Sequence, residues 1–598
     1  MNNTTAAKKT THMGAFPAEK GFAFRTWAPH AKSVTVMGSF CDWDEDKYSM
    51  EAEDNGHWFI EVPEAKNGDQ YLFVVETENG EKLKKADPYA RRQENSVGNS
   101  IIYADDFDWE KNDFEIADWN QLVIYELHIG TFHREDGQAV GTFQSAAEKL
   151  PHLKELGVNA VELLPVNEFA GDHSWGYNPA FPYAVEEAYG HPDDFKNFVK
   201  QAHEHGIAVI LDVVYNHFGP SDLSMWSFDG WSENEGGGIY FYNDWRASTP
   251  WGDTRPDYGR REVRDYIFHN AMMWLEEYRC DGLRFDAVSY IRNVKGGENE
   301  GDNLTEGYEL LQRINDAVQK RFPKKIMIAE DTDCKDFVTN KTYIDGIGFG
   351  AQWDINFAHE VRSVLLERDD ANRNIGAVAA ALSRQVSGDA FKRVVFTESH
   401  DEVANGESRV AAEVSEDAEE VDNFYSKKLS TLGGVVTMTT AGIPMLFQGQ
   451  ELLEDKWFCD QDPIEWERKE QFSGIFKMYQ DLIRLRTNQS SMTKGLLGRQ
   501  TEIFHYNEQA KVIAYVRWYD DKAKDGVVVI LNFSSQAYDD YCLKMPAQGK
   551  YELEFNSHWE GYEADFGDYE VTSVMADEHR EVCVNLPEYT GLIFCRVD

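Results

Sequence analysis

The stretch that decides the fold is CDGLRFDAVSYI, residues 280–291. It follows REVRDYIFHNAMMWLEEYR (261–279), whose apolar residues recur at the i, i+3, i+4, i+7 spacing of one helix face. A strand is expected over 282–290, where the chain is apolar or small apart from Arg284 and Asp286. Residues two apart on a strand share a face. Burying an arginine beside a carboxylate costs free energy unless the two are well paired, so most strands avoid it. A strand that carries both near its C-terminal end is expected to present them to a site.

The same alternation runs outward in both directions. Strands are expected at 122–130, 160–166, 208–217, 282–290, 325–331, 346–354, 393–401 and 442–451. Between them lie amphipathic helical runs such as QSAAEKLPHLKELG, DDFKNFVKQAHEHG and YELLQRINDAVQKRF. Strand-then-helix units of this number imply an α/β chain closed as a (β/α)8 TIM barrel, with the helices outside. Most of the strands begin apolar and finish polar, as in ILDVVYNH, LRFDAV, MIAED and FTESHD. In a parallel barrel all C-terminal strand ends open on one face, so these polar groups are expected to converge there.

Outside the barrel the pattern changes to short strands divided by Gly, Asn and Asp turns. FAFRTWAP, SVTVMGSF, HWFIEVP and QYLFVVET on one side, and TEIFHYN, VIAYVRWY, GVVVILNFS, YELEFNS and TGLIFCRV on the other, read as β-sandwiches. The expected domains are an N-terminal sandwich over 1–115, the barrel over 116–495 with an insertion at about 218–260, and a C-terminal sandwich over 496–598.

Composition narrows the partners. Asp and Glu number 105 against 59 Lys and Arg, a net charge of −46, which repels nucleic acid phosphates and anionic lipid headgroups and suits a neutral substrate. Apolar residues make up 42% and mean hydropathy is −0.56, as for a soluble chain. Most of the 16 Trp and 28 Tyr fill cores, and a minority on loops suit stacking on sugar rings. The 7 cysteines show no CxxC pair, which argues against a disulfide framework or a structural zinc site. The N-terminus MNNTTAAKKTTHMGAF has no apolar core of a leader, and no apolar run reaches membrane length, so a cytoplasmic location is expected.

Asp212, Asp286, Glu330 and Asp401 stand at four strand ends, with Arg284, His217 and His400 nearby. One carboxylate at a strand end is cheaply explained as a loop cap. Four converging on one mouth are costly, and such clusters tend to be functional. Two carboxyl groups flanking a sugar linkage are what glycosidic cleavage needs: one attacks the anomeric carbon and the other protonates the departing oxygen.

With these residues in order, the chain resembles the α-amylase family, glycoside hydrolase family 13. DVVYNH (212–217), GLRFDAV (282–288), IAED (328–331) and SHDE (399–402) match its four motifs. SWGYNPAFPYA (174–184) resembles a further family segment, and WAPHAKSVTVMGSFCDW (27–43) resembles the carbohydrate-binding sandwich of branching and debranching members. The resemblance implies Asp286 as nucleophile, Glu330 as general acid and then base, and Asp401 as the group that grips and distorts the sugar. It implies that Arg284 keeps Asp286 ionised, that Asp212 organises Arg284, that His217 and His400 bond sugar hydroxyls, and that Tyr177 stacks on the ring. Asn216 ligates calcium in many members, but no second calcium loop is recognisable in 218–260, so no metal and no cofactor are expected. The implied partner is an α-1,4-glucan or maltooligosaccharide; oligomeric state is not implied.

Family members share the first half-reaction and differ in what attacks the intermediate. WGYNPAFPYA, PDYGRREVRDYI and SHDEVANG resemble members that form α-1,6 branches, whereas VIYELHIGTF, DVVYNHFGP and TPWG resemble members that release trehalose from maltooligosyltrehalose. The two sandwiches and the missing leader favour branching over α-amylase-type hydrolysis or trehalose release. A non-catalytic glucan-binding protein is the reading of another class, and Asp286, Glu330 and Asp401, all in place, weigh against it.

Overall fold

The computed structural model describes residues 12–597 apart from 112, 136, 172, 221–222, 333, 407, 416–420 and 568–572. Residues 1–11, on which part of the leader expectation rests, lie outside the described residues.

Eight parallel strands close into a barrel: β1 (Ile124–Leu127), β2 (Ala160–Leu163), β3 (Ala208–Val213), β4 (Gly282–Phe285), β5 (Ile326–Ala329), β6 (Ala351–Trp353), β7 (Arg393–Val395) and β8 (Ile443–Phe447). β1 completes the ring, Ile124 standing beside Ala160 of β2 and Met445 of β8. Alternate residues serve two cores. Ile124, Ala160, Ile210, Ile328, Val394 and Ile443 pack together inside the barrel. Tyr125, Val161, Leu211, Leu283 and Leu446 join the larger core that includes the outer helices. A parallel sheet buried on both faces reads as nearly continuous apolar sequence, which is why all eight strands are visible in it.

Each strand is shorter than the apolar run that announces it, because the chain leaves the sheet where the polar residues begin. After β4, Ala287 takes φ 40° and ψ 52°, a left-handed conformation that a β-carbon disfavours, and Val288–Arg292 coil into a short helix. The expected strand over 282–290 is therefore corrected: Asp286 stands just past its end. The expected strand over 393–401 is corrected in the same way. It stops at Val395, and His400–Asn405 form a helix with Asp401 in its first turn. The N-cap of that helix is Ser399, whose hydroxyl accepts from the Glu402 N–H.

The N-terminal region holds two sheets. One orders Gly14–Pro17, Phe22–Trp27, His57–Val62 and Glu51–Ala52, and the other is built on Ser33–Gly38 and Gln70–Glu76. The C-terminal region has a six-stranded sheet running from Gln500–Asn507 to Val574–Ala576, faced by the pair Tyr538–Lys544 and Glu581–Leu586. One core cluster runs through all three regions, from Phe24 and Phe73 through Leu283 and Val435 to Tyr515 and Ile593. Within the last strand pair Cys542 and Cys583 are direct cross-strand neighbours and form a disulfide. The cysteine spacing gave no sign of it, because 41 residues separate the two and only the strand register brings them together. Among the described residues no helix is long and apolar enough to cross a membrane.

Candidate active site

The site is built around one buried guanidinium. Arg284, inward-facing on β4 and fully buried, donates from Nη1 to Asp212 Oδ2 at 2.6 Å and to Asp286 Oδ1 at 3.0 Å. Its Nη2 lies 3.1 Å from Glu330 Oε2. Register explains the first contact, since Asp212 on β3 stands directly beside Arg284 on β4. The guanidinium carbon sits 4.2 Å from the centre of the Trp353 ring. Asp286 and Glu330 are thus held by the two arms of one planar group, and pairing with several carboxylates offsets the desolvation of the arginine.

The turn after β4 completes this arrangement. Because Ala287 is left-handed, its N–H points across the mouth and donates to Glu330 Oε2 at 2.7 Å. Asn216, beyond β3, donates from Nδ2 to Asp286 Oδ2 at 2.7 Å, while its Oδ1 accepts from His217 Nδ1 at 2.6 Å. Both ends of the Asn216 amide are therefore occupied by protein groups.

Tyr177 and His400 form the opposite wall. Their rings stack with centroids 5.0 Å apart, and the Tyr177 hydroxyl donates to Asp212 Oδ2 at 2.6 Å. Tyr177 reaches the mouth from the hairpin of Asn167–Phe169 and Pro179–Val185. Gly176 makes this possible: φ is +96°, and a β-carbon there would stand 2.3 Å from the Pro165 carbonyl oxygen. Trp175, partly buried, packs against a small cluster of Val403, Phe447 and Phe458. His400 donates from Nδ1 to Glu126 Oε1 at 2.5 Å, and its Nε2 lies 3.5 Å from Asp401 Oδ1. Asp401 is the most exposed of the four acids, its side chain 44% accessible.

Burial sets the protonation states. It pushes Glu330 up to about 8, against the pull of Arg284 and with help from Asp286 and Asp401. It pushes Asp212 up to about 7, again against Arg284. Burial also acts to lower His400, but Asp401 and Glu126 outweigh it and hold the imidazole up to about 9. His217 is lowered by burial.

The structure brings all eight sequence-predicted residues to one mouth and adds others. Glu126 on β1 anchors His400. Glu162 on β2 is 1% exposed, and neither carboxylate oxygen has a hydrogen-bond partner among the described residues. Burial drives its acidity well down, keeping it protonated. Both were findable: each is a lone carboxylate inside an apolar strand, the signal that marked Arg284.

The insertion after β3 supplies a groove. A cavity of about 1040 Å³ runs from Tyr177 and His217 along Tyr242, Asn243, Trp245 and Trp251. Trp251 stacks on His217 at 4.9 Å and remains 49% exposed; Trp245 is 59% exposed. Tyr240 and Tyr242 are buried. The insertion thus both lines the cleft and folds on itself, with different aromatics doing each.

Residues 12–90 match carbohydrate-binding module 48 (isoamylase N-terminal domain), 127–250 and 223–471 match the alpha amylase catalytic domain, and 504–597 match the alpha amylase C-terminal all-beta domain. A 1,4-alpha-glucan branching enzyme of Marinobacter nauticus is 30% identical over 586 residues, 93% of this chain and 89% of that protein. One from Halothermothrix orenii is 30% identical over 93% of this chain and 90% of its own. In fold, the chain is similar to a type I pullulanase from Bacillus subtilis complexed with maltose, with a TM-score of 0.77, 21% identity, and coverage of 100% of this chain and 87% of that one. A pullulanase from Anoxybacillus complexed with maltotetraose gives a TM-score of 0.76 at 20% identity, covering 98% and 88%.

Proposed function

The chain belongs to the α-amylase family, and from that premise we propose that it is a 1,4-α-glucan branching enzyme, acting in the cytoplasm through a covalent glycosyl-Asp286 intermediate. The observation that carries the chemistry is the pair of carboxylates on the two arms of Arg284, at the mouth of the barrel. The branching relatives, aligned over about nine-tenths of both chains, support transfer as the outcome.

A glucan chain lies in the groove with one linkage over the pair. The Asp286 carboxylate attacks the anomeric carbon as Glu330 gives its proton to the glycosidic oxygen, so the bond breaks and the reducing-end piece leaves as an alcohol. Glu330 is suited to this because burial keeps it protonated at neutral pH. Asn216 and Arg284 both bond the Asp286 carboxylate and orient it. Glu330, now ionised, takes the proton of a glucan 6-hydroxyl; that oxygen attacks the same carbon, Asp286 leaves, and an α-1,6 branch forms. Asp401, cationic His400 and His217 bond the hydroxyls of the reacting sugar, and Tyr177 stacks beside it. Trp251 and Trp245 carry further glucosyl units. No cofactor enters these steps.

Incubation with amylose tests this reading. Branching predicts loss of iodine colour with few new reducing ends until a debranching enzyme is added. Immediate reducing ends would mean hydrolysis, and free trehalose from maltooligosyltrehalose would mean the third activity.

A further inference from the structure

A second cavity, of about 600 Å³, lies at the opposite end of the barrel, where Gly350 precedes β6 and Lys392 precedes β7 and where Tyr519 closes the side toward the C-terminal sheet. Lys341, Lys392 and Arg499 line the cavity, against the carboxylates of Asp118 and Asp389. Lys341 has no ion-pair partner among the described residues; Lys392 donates to the Thr339 carbonyl, and Arg499 meets Asp389 only at 3.4 Å.

Two buried arginines stand behind the wall. Arg486 donates to the carbonyls of Asn120 and Gly442, and Arg517 to those of Thr439, Thr440 and Gly498; Asn120 and Gly498 line the cavity. Both arginines are fully buried, with no carboxylate partner among the described residues, and both Nε atoms lack a hydrogen-bond partner. Burial lowers both guanidinium groups, Arg486 to about 9, so the positive charge of the site rests on Lys341, Lys392 and Arg499. Three cations against two carboxylates give the lining a net positive charge in a chain of net charge −46, which suits an anion. The lining also offers rings and neutral polar groups: Trp119, lying against Gly350, exposed Tyr519, Asn120, Gln500 and Thr339.

We propose that this cavity binds a small phosphorylated sugar, its phosphate against Lys341, Lys392 and Arg499 and its ring against Trp119 and Tyr519. Two sides of the cavity belong to the barrel and the C-terminal sheet, so the ligand links the two.

Calorimetry on the full chain, with glucose 6-phosphate, inorganic phosphate and maltotriose as separate probes, tests the site. The expected result is saturable binding of glucose 6-phosphate, weaker binding of phosphate, and none of maltotriose that competes with it. The double variant Lys341→Ala with Arg499→Ala, or Lys341→Gln alone should the double variant melt early, weakens it by about tenfold. Tyr519→Ala weakens glucose 6-phosphate but not phosphate. Branching activity stays intact in these variants, since none touches the catalytic groove. Absence of saturable binding, binding indifferent to the cation variants, or displacement by maltotriose would overturn the proposal.

Discussion

Arg284 is the residue at which the electrostatics of the site meet, and its partners give separable expectations. Asp286→Ala is expected to lower turnover by at least about 10⁴-fold while the protein still binds to starch, because the groove is untouched. Activity of the wild type should decline as pH rises through about 8, where Glu330 loses the proton it must donate. The same shift bears on stability. Glu330 is raised in the folded state from an ordinary 4.5, so holding it unionised costs nothing below 4.5, and its ionisation opposes folding increasingly as pH rises toward 8. Glu330→Gln should therefore raise the melting temperature at pH 8 and leave it unchanged at pH 4; equal shifts at both would contradict this. Glu162 is held neutral, so Glu162→Gln should change turnover by less than about twofold. The four acids and Arg284 were legible as polar residues ending apolar strands. Protonation was not, because it depends on burial, which the sequence does not state.

At the scale of elements, the strand ladder was legible and its ends were not. Strand periodicity continues through residues such as Asp286 and Ala287, and only the backbone reversal at Ala287 shows where β4 stops. Ala287→Val should cost both stability and activity, since a β-branched side chain fits a left-handed position worse than alanine. The insertion could not be divided by sequence between lining and folding, because exposure decides which aromatics do which. Trp251→Ala, removing a half-exposed ring stacked on His217, is expected to raise KM by about three- to tenfold with a smaller change in kcat. Loss confined to kcat would place Trp251 in the chemistry instead of the groove.

At the scale of the whole molecule, three regions share one continuous core, which periodicity within each region could not reveal. Gly474 packs so closely on the C-terminal region that a β-carbon would stand 1.6 Å from the Tyr562 carbonyl oxygen. Net charge of −46 also acts on the whole, and salt that screens the self-repulsion should raise the melting temperature between low ionic strength and 1 M, where the screening length is about 3 Å. The most direct test of the mechanism is to trap the intermediate. Glu330→Gln, treated with a fluorinated maltosyl fluoride, is digested and its peptides are weighed. A maltosyl-derived mass is expected on the peptide bearing Asp286 and on no other; an unlabelled Asp286 peptide, or a label on a different carboxylate, would rule out a glycosyl-Asp286 intermediate.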